Sequence, residues 1–194
     1  MLSLDSRDKL LLLEVARRAM TAAVCRRETP AELPRELITF ECAGAFVTLR
    51  RDGRLRGCIG QIAPKQPTAD VVSYCARAAA LDDPRFTPVV GEELAEIEIE
   101  LSILSAPEIV RPHQIEAGRH GLIVSRGFQR GVLLPQVATE QGWDSRRFLE
   151  ETCVKAGLHR AAWNNPETEI LAFTALVFSE SEILPTVRLQ APTS

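Results

Sequence analysis

The chain has 194 residues, with 23 basic and 26 acidic side chains and a formal charge of −3. At 45% hydrophobic and 25% charged residues it has globular usage and enough chain to bury a core without staples, which excludes disordered, collagenous and mucin-like classes. No apolar run exceeds four residues, and the opening MLSLDSRDKL has neither a basic n-region nor an apolar h-region, so no membrane-spanning helix is expected and the expected location is the cytosol.

Residues 5–27 read as one helix, with Ser3, Asp5 and Ser6 as candidate N-caps and Leu12, Val15, Ala19, Ala22 and Ala23 at helical spacing. Pro30 ends it, and ETPAELPRE is a connector. Ala45, Val47 and Leu49 then alternate with Phe46, Thr48 and Arg50 as a strand. Asp52-Gly53 is a hairpin-turn pair, and RLRGCIGQI, residues 54–62, returns. Thr68 to Leu81 is a second helix, stopped by DDPRFTP.

In EELAEIEIELSIL, the residues Ile97, Ile99, Leu101 and Ile103 face one way, while Glu96, Glu98, Glu100 and Ser102 face the other. A second hairpin turns between Arg126 and Arg130. Pro135 opens a short helix over 136–141. Asp144 or Ser145 caps another, running to Ala156 and stopped by Gly157. Glu169 to Ser179 is a last strand, with Ile170, Ala172, Thr174, Leu176 and Phe178 on one side, and the tail QAPTS is loose. Helices and hairpins are segregated, which predicts an α+β fold with antiparallel sheets flanked by helices.

The five cysteines, Cys25, Cys42, Cys58, Cys75 and Cys153, show no C-x-x-C spacing. They read as free thiols in a reducing compartment, most of them buried. Cys58 differs. Gly57 and Gly60 bracket it inside a strand, and glycine there marks a bulge or a close backbone approach. Four guanidinium groups, Arg50, Arg51, Arg54 and Arg56, crowd the same hairpin against Asp52 alone. They form either a solvated edge or an anion site beside Cys58.

In a regular strand Arg56 and Cys58 share the less buried face and Gly57 leaves room for a ligand, while Leu55 and Ile59 feed the core. A bulge at Gly57 would send the two side chains apart. The expectation is the regular strand, with Cys58 lying near a concave surface formed with Asp82–Phe86 or Gly131–Gln136. His113, His120 and His159 have no metal-ligand spacing, so no metal site is expected. The negative charge and the few aromatics, one Tyr, two Trp and seven Phe, argue against a nucleic-acid partner. Trp143 and Trp163 read as packing anchors, and Cys153 as inert.

The run LRGCIG at 55–60 resembles the hallmark of the AMMECR-type domain family, called in bacteria AmmeMemoRadiSam system protein A. GAFVTL at 44–49, DPRF at 83–86, IELSIL at 99–104, HGLIV at 120–124, GVLLPQVATEQGWD at 131–144 and FLEETCVKAGL at 148–158 extend the likeness to nearly the whole chain. The resemblance implies a single domain over 1–194 with a larger and a smaller α+β part, and the hallmark near the groove between them. It implies no firm activity and no known cofactor. It does imply Memo-like and radical-SAM proteins as partners, from the family's gene neighbourhood.

Two functions follow. One is a small-molecule enzyme or cofactor handler, with Cys58 reactive, Glu100 its base, and Arg56, Gly57, Gly60 and Arg85 binding substrate. The other is a noncatalytic adaptor that docks a Memo-like partner. Asp82, Asp83 and Arg85 also fit a purely structural turn with an internal ion pair.

Overall fold

The computed structural model describes residues 3–26, 42–62 and 65–183. Seven strands form an antiparallel sheet in the hydrogen-bonded order β2-β1-β3-β7-β5-β6, with β4 on β7. They are β1 (Gly44–Arg51), β2 (Arg54–Ile62), β3 (Ile97–Leu104), β4 (Glu108–Ile109), β5 (His120–Arg126), β6 (Gln129–Leu133) and β7 (Glu169–Ser179). The helices are α1 (Ser6–Val24), α2 (Thr68–Leu81), α3 (Pro135–Glu140) and α4 (Ser145–Lys155). The α+β expectation is met. The connector ETPAELPRE and the tail QAPTS lie outside the described residues. No described helix is long and apolar enough to cross a membrane.

The chain divides into two compact units, Met1–Ile103 with Leu176–Ser194, and Leu104–Ala175. In the first, Asp5 caps α1 by accepting from the Asp8 N–H at 2.8 Å. Leu12, Val15, Ala16 and Met20 of α1 enter one core with Ala45, Val47 and Leu49 of β1 and Ile97, Ile99, Leu101 and Ile103 of β3. The α2 residues that join them are mostly small (Cys75, Ala76, Ala79), and this lets the helix approach β1 and β2 closely. Arg17 crosses the helix–strand boundary. It donates to the Leu94 and Ile97 carbonyls and to Glu180, which in turn accepts from the Ile99 N–H.

The β1–β2 turn is as expected, with φ of +51° at Asp52 and +71° at Gly53, the pair of left-handed residues a type I′ turn requires. The regular strand is not. Arg50 pairs with Leu55 but Leu49 pairs with Gly57, so Arg56 is an extra residue in β2 and the hairpin is bulged there. Leu55, on the turn side of the bulge, pairs with outward-facing Arg50 and is 39% exposed rather than buried. Beyond the bulge the shifted register sets Ile59 opposite Val47, where it packs on the core as expected.

In the second unit Asp144 caps α4 by accepting from the Arg147 N–H at 2.7 Å. At the other end Gly157, at φ +74°, closes a Schellman motif: its N–H reaches the Val154 carbonyl and that of Leu158 reaches Cys153. Leu122 and Val124 of β5 meet Phe148, Leu149 and Cys153 of α4 in this core. Strand β7 supplies both cores from one face. Ile170 and Ala172 join the second, while Leu176 and Phe178 join the first. Its alternation is broken by buried Phe173, whose ring lies over Gly121.

Candidate functional site

Strand β2 ends the sheet, so its outer backbone groups need partners or solvent. At Cys58 they have partners. The Asp83 carboxylate accepts from the Cys58 N–H at 2.8 Å, and Arg85 donates from Nη2 to the Cys58 carbonyl at 3.1 Å. Asp83 is itself held by the Arg85 backbone N–H, Nε and Nη2 at 3.1, 3.0 and 2.8 Å. The pair thus presents one acceptor and one donor to the edge, as a neighbouring strand would.

Asp83 is 5% exposed. The Arg85 bonds, with those from the Cys58 and Arg85 N–H groups, hold its carboxyl well below the usual carboxylate range. Asp83 raises the Arg85 pKa in turn, and the Cys58 sulfur adds to that effect. Arg85 keeps 54% of its side chain exposed, and its Nη1 makes no bond among the described residues.

Because Cys58 turns its backbone to the edge, its side chain comes close to that of its opposite number on β1. That residue is Thr48, whose hydroxyl donates to Cys58 Sγ at 3.4 Å. The thiol is free and half-buried. Cys42, Cys75 and Cys153 are buried, and burial pushes Cys75 up to about 12 and raises Cys153. The expectation that Cys153 is inert fits this burial.

The bulge corrects the place of Arg56. Its guanidinium does not lie beside Cys58. It turns to the face it shares with Arg51, where both donate to Glu93. Arg56 Nε and Nη2 reach the two Glu93 oxygens at 2.8 and 2.9 Å, and Nη1 donates to the Thr87 carbonyl at 2.9 Å. Glu93 also accepts from the Val90 N–H at 3.0 Å. These bonds, with that of Arg56 first, pull the Glu93 pKa from 4.5 to about 2. Arg56 therefore fastens the loop after α2 to the bulged strand.

The close backbone approach expected at the glycines is met at Gly57, where the α2 backbone comes in. A Cβ on Gly57 would lie 2.2 Å from the Ala79 carbonyl oxygen, and one on Gly60 2.1 Å from the Phe46 ring. The space expected for a ligand is filled by the protein. Glu100 shares the outer sheet face with Arg50, and the two side chains meet at 3.5 Å. Of the six expected site residues, the structure joins Cys58 and Arg85. It ties Arg56 to Glu93 and Glu100 to Arg50, and it packs Gly57 and Gly60. Sequence reasoning missed Thr48 and Glu93. An unbulged hairpin sets Val47 opposite Cys58, so only the bulge reveals Thr48.

The family model described as AMMECR1 matches residues 13–178. The chain belongs to the AMMECR1 family. Among AMMECR1 relatives, Protein TK0174 of Thermococcus kodakarensis is 44% identical over 183 residues, covering 87% of this chain and 88% of that protein. A protein of Methanothermobacter thermautotrophicus is 44% identical over 185 residues, covering 90% and 96%. The fold is similar to the crystal structure of the uncharacterized protein PH0010 from Pyrococcus horikoshii. The TM-score is 0.76 at 41% identity, with 89% of this chain and 91% of that one covered. The match spans Cys58, Asp83 and Arg85, so the latched thiol lies within the AMMECR1 region.

Proposed function

We propose that this AMMECR1 protein handles a small anionic molecule at Cys58, in the cytosol and alongside the Memo-like and radical-SAM proteins that the family resemblance implies. One observation carries the reading: the Cys58 peptide is clamped at both its N–H and its carbonyl by Asp83–Arg85 while its sulfur meets the Thr48 hydroxyl. The Arg85 guanidinium donates to the Cys58 carbonyl, so an anion held by Arg85 would lie close to the sulfur. Arg85 Nη1, which bonds nothing among the described residues, offers a charge-assisted bond to a carboxylate or phosphate. In this reading Cys58 is the nucleophile and Arg85 the anion anchor. Asp83 and Thr48 are positioning residues, and Glu100 orients Arg50.

Competition between iodoacetate and iodoacetamide, mapped by peptide mass spectrometry, tests this. Cys58 should favour the anionic reagent relative to exposed Cys25, and Arg85→Gln should erase the preference. A Cys58 that stays unlabelled while Cys25 reacts, or that shows no charge preference, overturns the reading. The adaptor reading draws on one observation, the exposure of Leu55, the chain neighbour of Arg56, and of Val90, whose N–H donates to Glu93. It requires Cys58→Ser to leave docking of a purified Memo-like protein intact.

A further inference from the structure

The second unit carries a knob and a hole side by side. The knob is the β5–β6 turn. Gly127 has φ +59° and Phe128 is not in the left-handed region, so this is a type II′ turn that needs glycine first and sets no demand on the second residue. Phe128 is nonetheless fully exposed, at 108% of its reference area. Arg126 and Arg130 flank it, and neither has an ion-pair partner among the described residues.

The hole is a cleft of about 430 Å³, lined by Ile109, Pro112, Trp163, Pro166, Glu167 and Glu169 among others. Ile109 is 78% exposed at its mouth. Arg111 offsets one of the two glutamates, which leaves the cleft net negative. Knob and hole adjoin. Glu169 pairs with Ser125 across β7 and β5 and accepts from its hydroxyl at 3.3 Å, and Ser125 pairs on its other side with Arg130, so Glu169 and Arg130 lie on one face two strands apart.

We propose that this face binds a second copy of the chain, each copy placing Phe128 in the other's cleft with Arg126 and Arg130 against Glu167 and Glu169. Complementary patches that lie next to each other on one surface exchange under a two-fold rotation between them, giving a closed dimer rather than a filament. Apolar aromatic and arginine side chains are also the residue types that anchor interfaces. The knob sets the partner's charge: the hairpin carries one arginine on each of its faces behind the ring, Arg126 opposite Gln129 and Arg130 opposite Ser125, which selects an apolar hollow with an acidic rim, and this chain has one.

Sedimentation velocity on the full chain over a range of concentrations tests it. A species of twice the chain mass is expected. Phe128→Ala should weaken association about thirtyfold for each ring lost, the size of a hot-spot truncation. Phe128→Trp should retain it, and Glu167→Arg should weaken it. Mixing Phe128→Ala with Glu167→Arg should give a heterodimer held by one intact contact. Circular dichroism on each variant confirms folding, since neither side chain reaches the core. A wild-type chain that stays monomeric at every concentration overturns the proposal, as does a dimer that Phe128→Ala leaves unchanged.

Discussion

The two hairpins of this protein are built on one plan and finished differently. In each, a glycine on the second strand admits helix backbone: Gly57 faces the Ala79 carbonyl of α2, and Gly131 faces the Ala156 amide just after α4. In each, a phenylalanine from a neighbouring strand lies over a glycine, Phe46 on Gly60 and Phe173 on Gly121. The first hairpin then has a polar turn and a bulged edge latched by ion pairs. The second has a regular register and an exposed aromatic turn. Close helix approach is thus a packing solution common to both, and it cannot be what gives the 55–60 run its chemistry. What is particular to the first hairpin is the bulge and the loop it holds.

The largest expected effect tests the shared plan. Gly57→Ala and Gly131→Ala each drive a methyl into backbone, where a Cβ would sit 2.2 and 2.3 Å from its nearest atom. Each should lose about 3 kcal/mol in chemical denaturation, the upper range for overpacking. Gly60→Ala meets only a ring that can turn aside, so its loss should be nearer about 1 kcal/mol. A harmless Gly131→Ala beside a damaging Gly57→Ala would break the parallel.

The next effect belongs to the latch alone. Asp83 and Glu93 both have carboxyl pKa values lowered by folding, through Arg85 and Arg56 respectively. A depressed carboxyl stabilises the native state above its unfolded pKa, and that stabilisation is lost as pH falls through the folded value. Stability should therefore drop on acidification from pH 4.5 toward about 2 as Glu93 protonates, with Asp83 following at still lower pH. Asp83→Asn and Glu93→Gln should each cost about 2 kcal/mol at neutral pH, as lost charged hydrogen bonds do. Each should also flatten the acid limb in urea melts recorded against pH. An unchanged acid limb in both variants would show that the ion pairs do not hold the loop.

Much of this was legible in the sequence. Asp52-Gly53, the Ile97–Ile103 alternation and the caps at Asp5 and Asp144 are local signals, and each element lies where its residues place it. Gly57 raises a bulge as the alternative, but the regular strand is the expectation, because the bond that holds the extra residue, Arg56 to Glu93, spans 37 residues. Distant contacts likewise decide β4, two residues long between Pro107 and Pro112, and the sharing of strand β7, whose single apolar face serves two cores. Within the site, Cys58 stood out through its glycines. Its neighbourhood with Asp82–Phe86 was expected, and Asp83 and Arg85 meet its backbone there; Thr48 depends on the shifted register, which leaves no periodic trace.

Arg56 and Arg85 sharpen the comparison within the first hairpin. Arg56→Lys replaces a two-pronged bond to Glu93 with a single contact, and should cost about 1 kcal/mol. It should leave the reagent preference of Cys58 unchanged, because the bulge turns Arg56 to the other face. Arg85→Gln should do the reverse to labelling. Should Arg56→Lys alter Cys58 labelling as much as Arg85→Gln, the two guanidinium groups would serve one site after all.

The smallest effects on folding come at the two turns, and they separate what a turn needs from what a surface needs. Asp52 holds φ +51°, a conformation that costs an ordinary L-residue about 1 kcal/mol; Asp tolerates it better than Ala, so Asp52→Ala should lose somewhat less than that. Phe128 holds no such angle and touches no core, so Phe128→Ser should leave folding stability within about 0.5 kcal/mol of wild type. A residue that is dispensable for folding, apolar and fully exposed leaves its ring in water, and the dimer contact proposed above would cover it. Thermal melts at low protein concentration isolate the folding term, and the same melts at high concentration add the association term, since an assembled state raises the apparent Tm by mass action. Wild type should gain Tm with concentration and Phe128→Ser should not, whereas Asp52→Ala should melt lower at both concentrations and keep the wild-type dependence. If Phe128→Ser lowers the Tm equally at both concentrations, the ring is part of the fold and the two turns differ only in sequence.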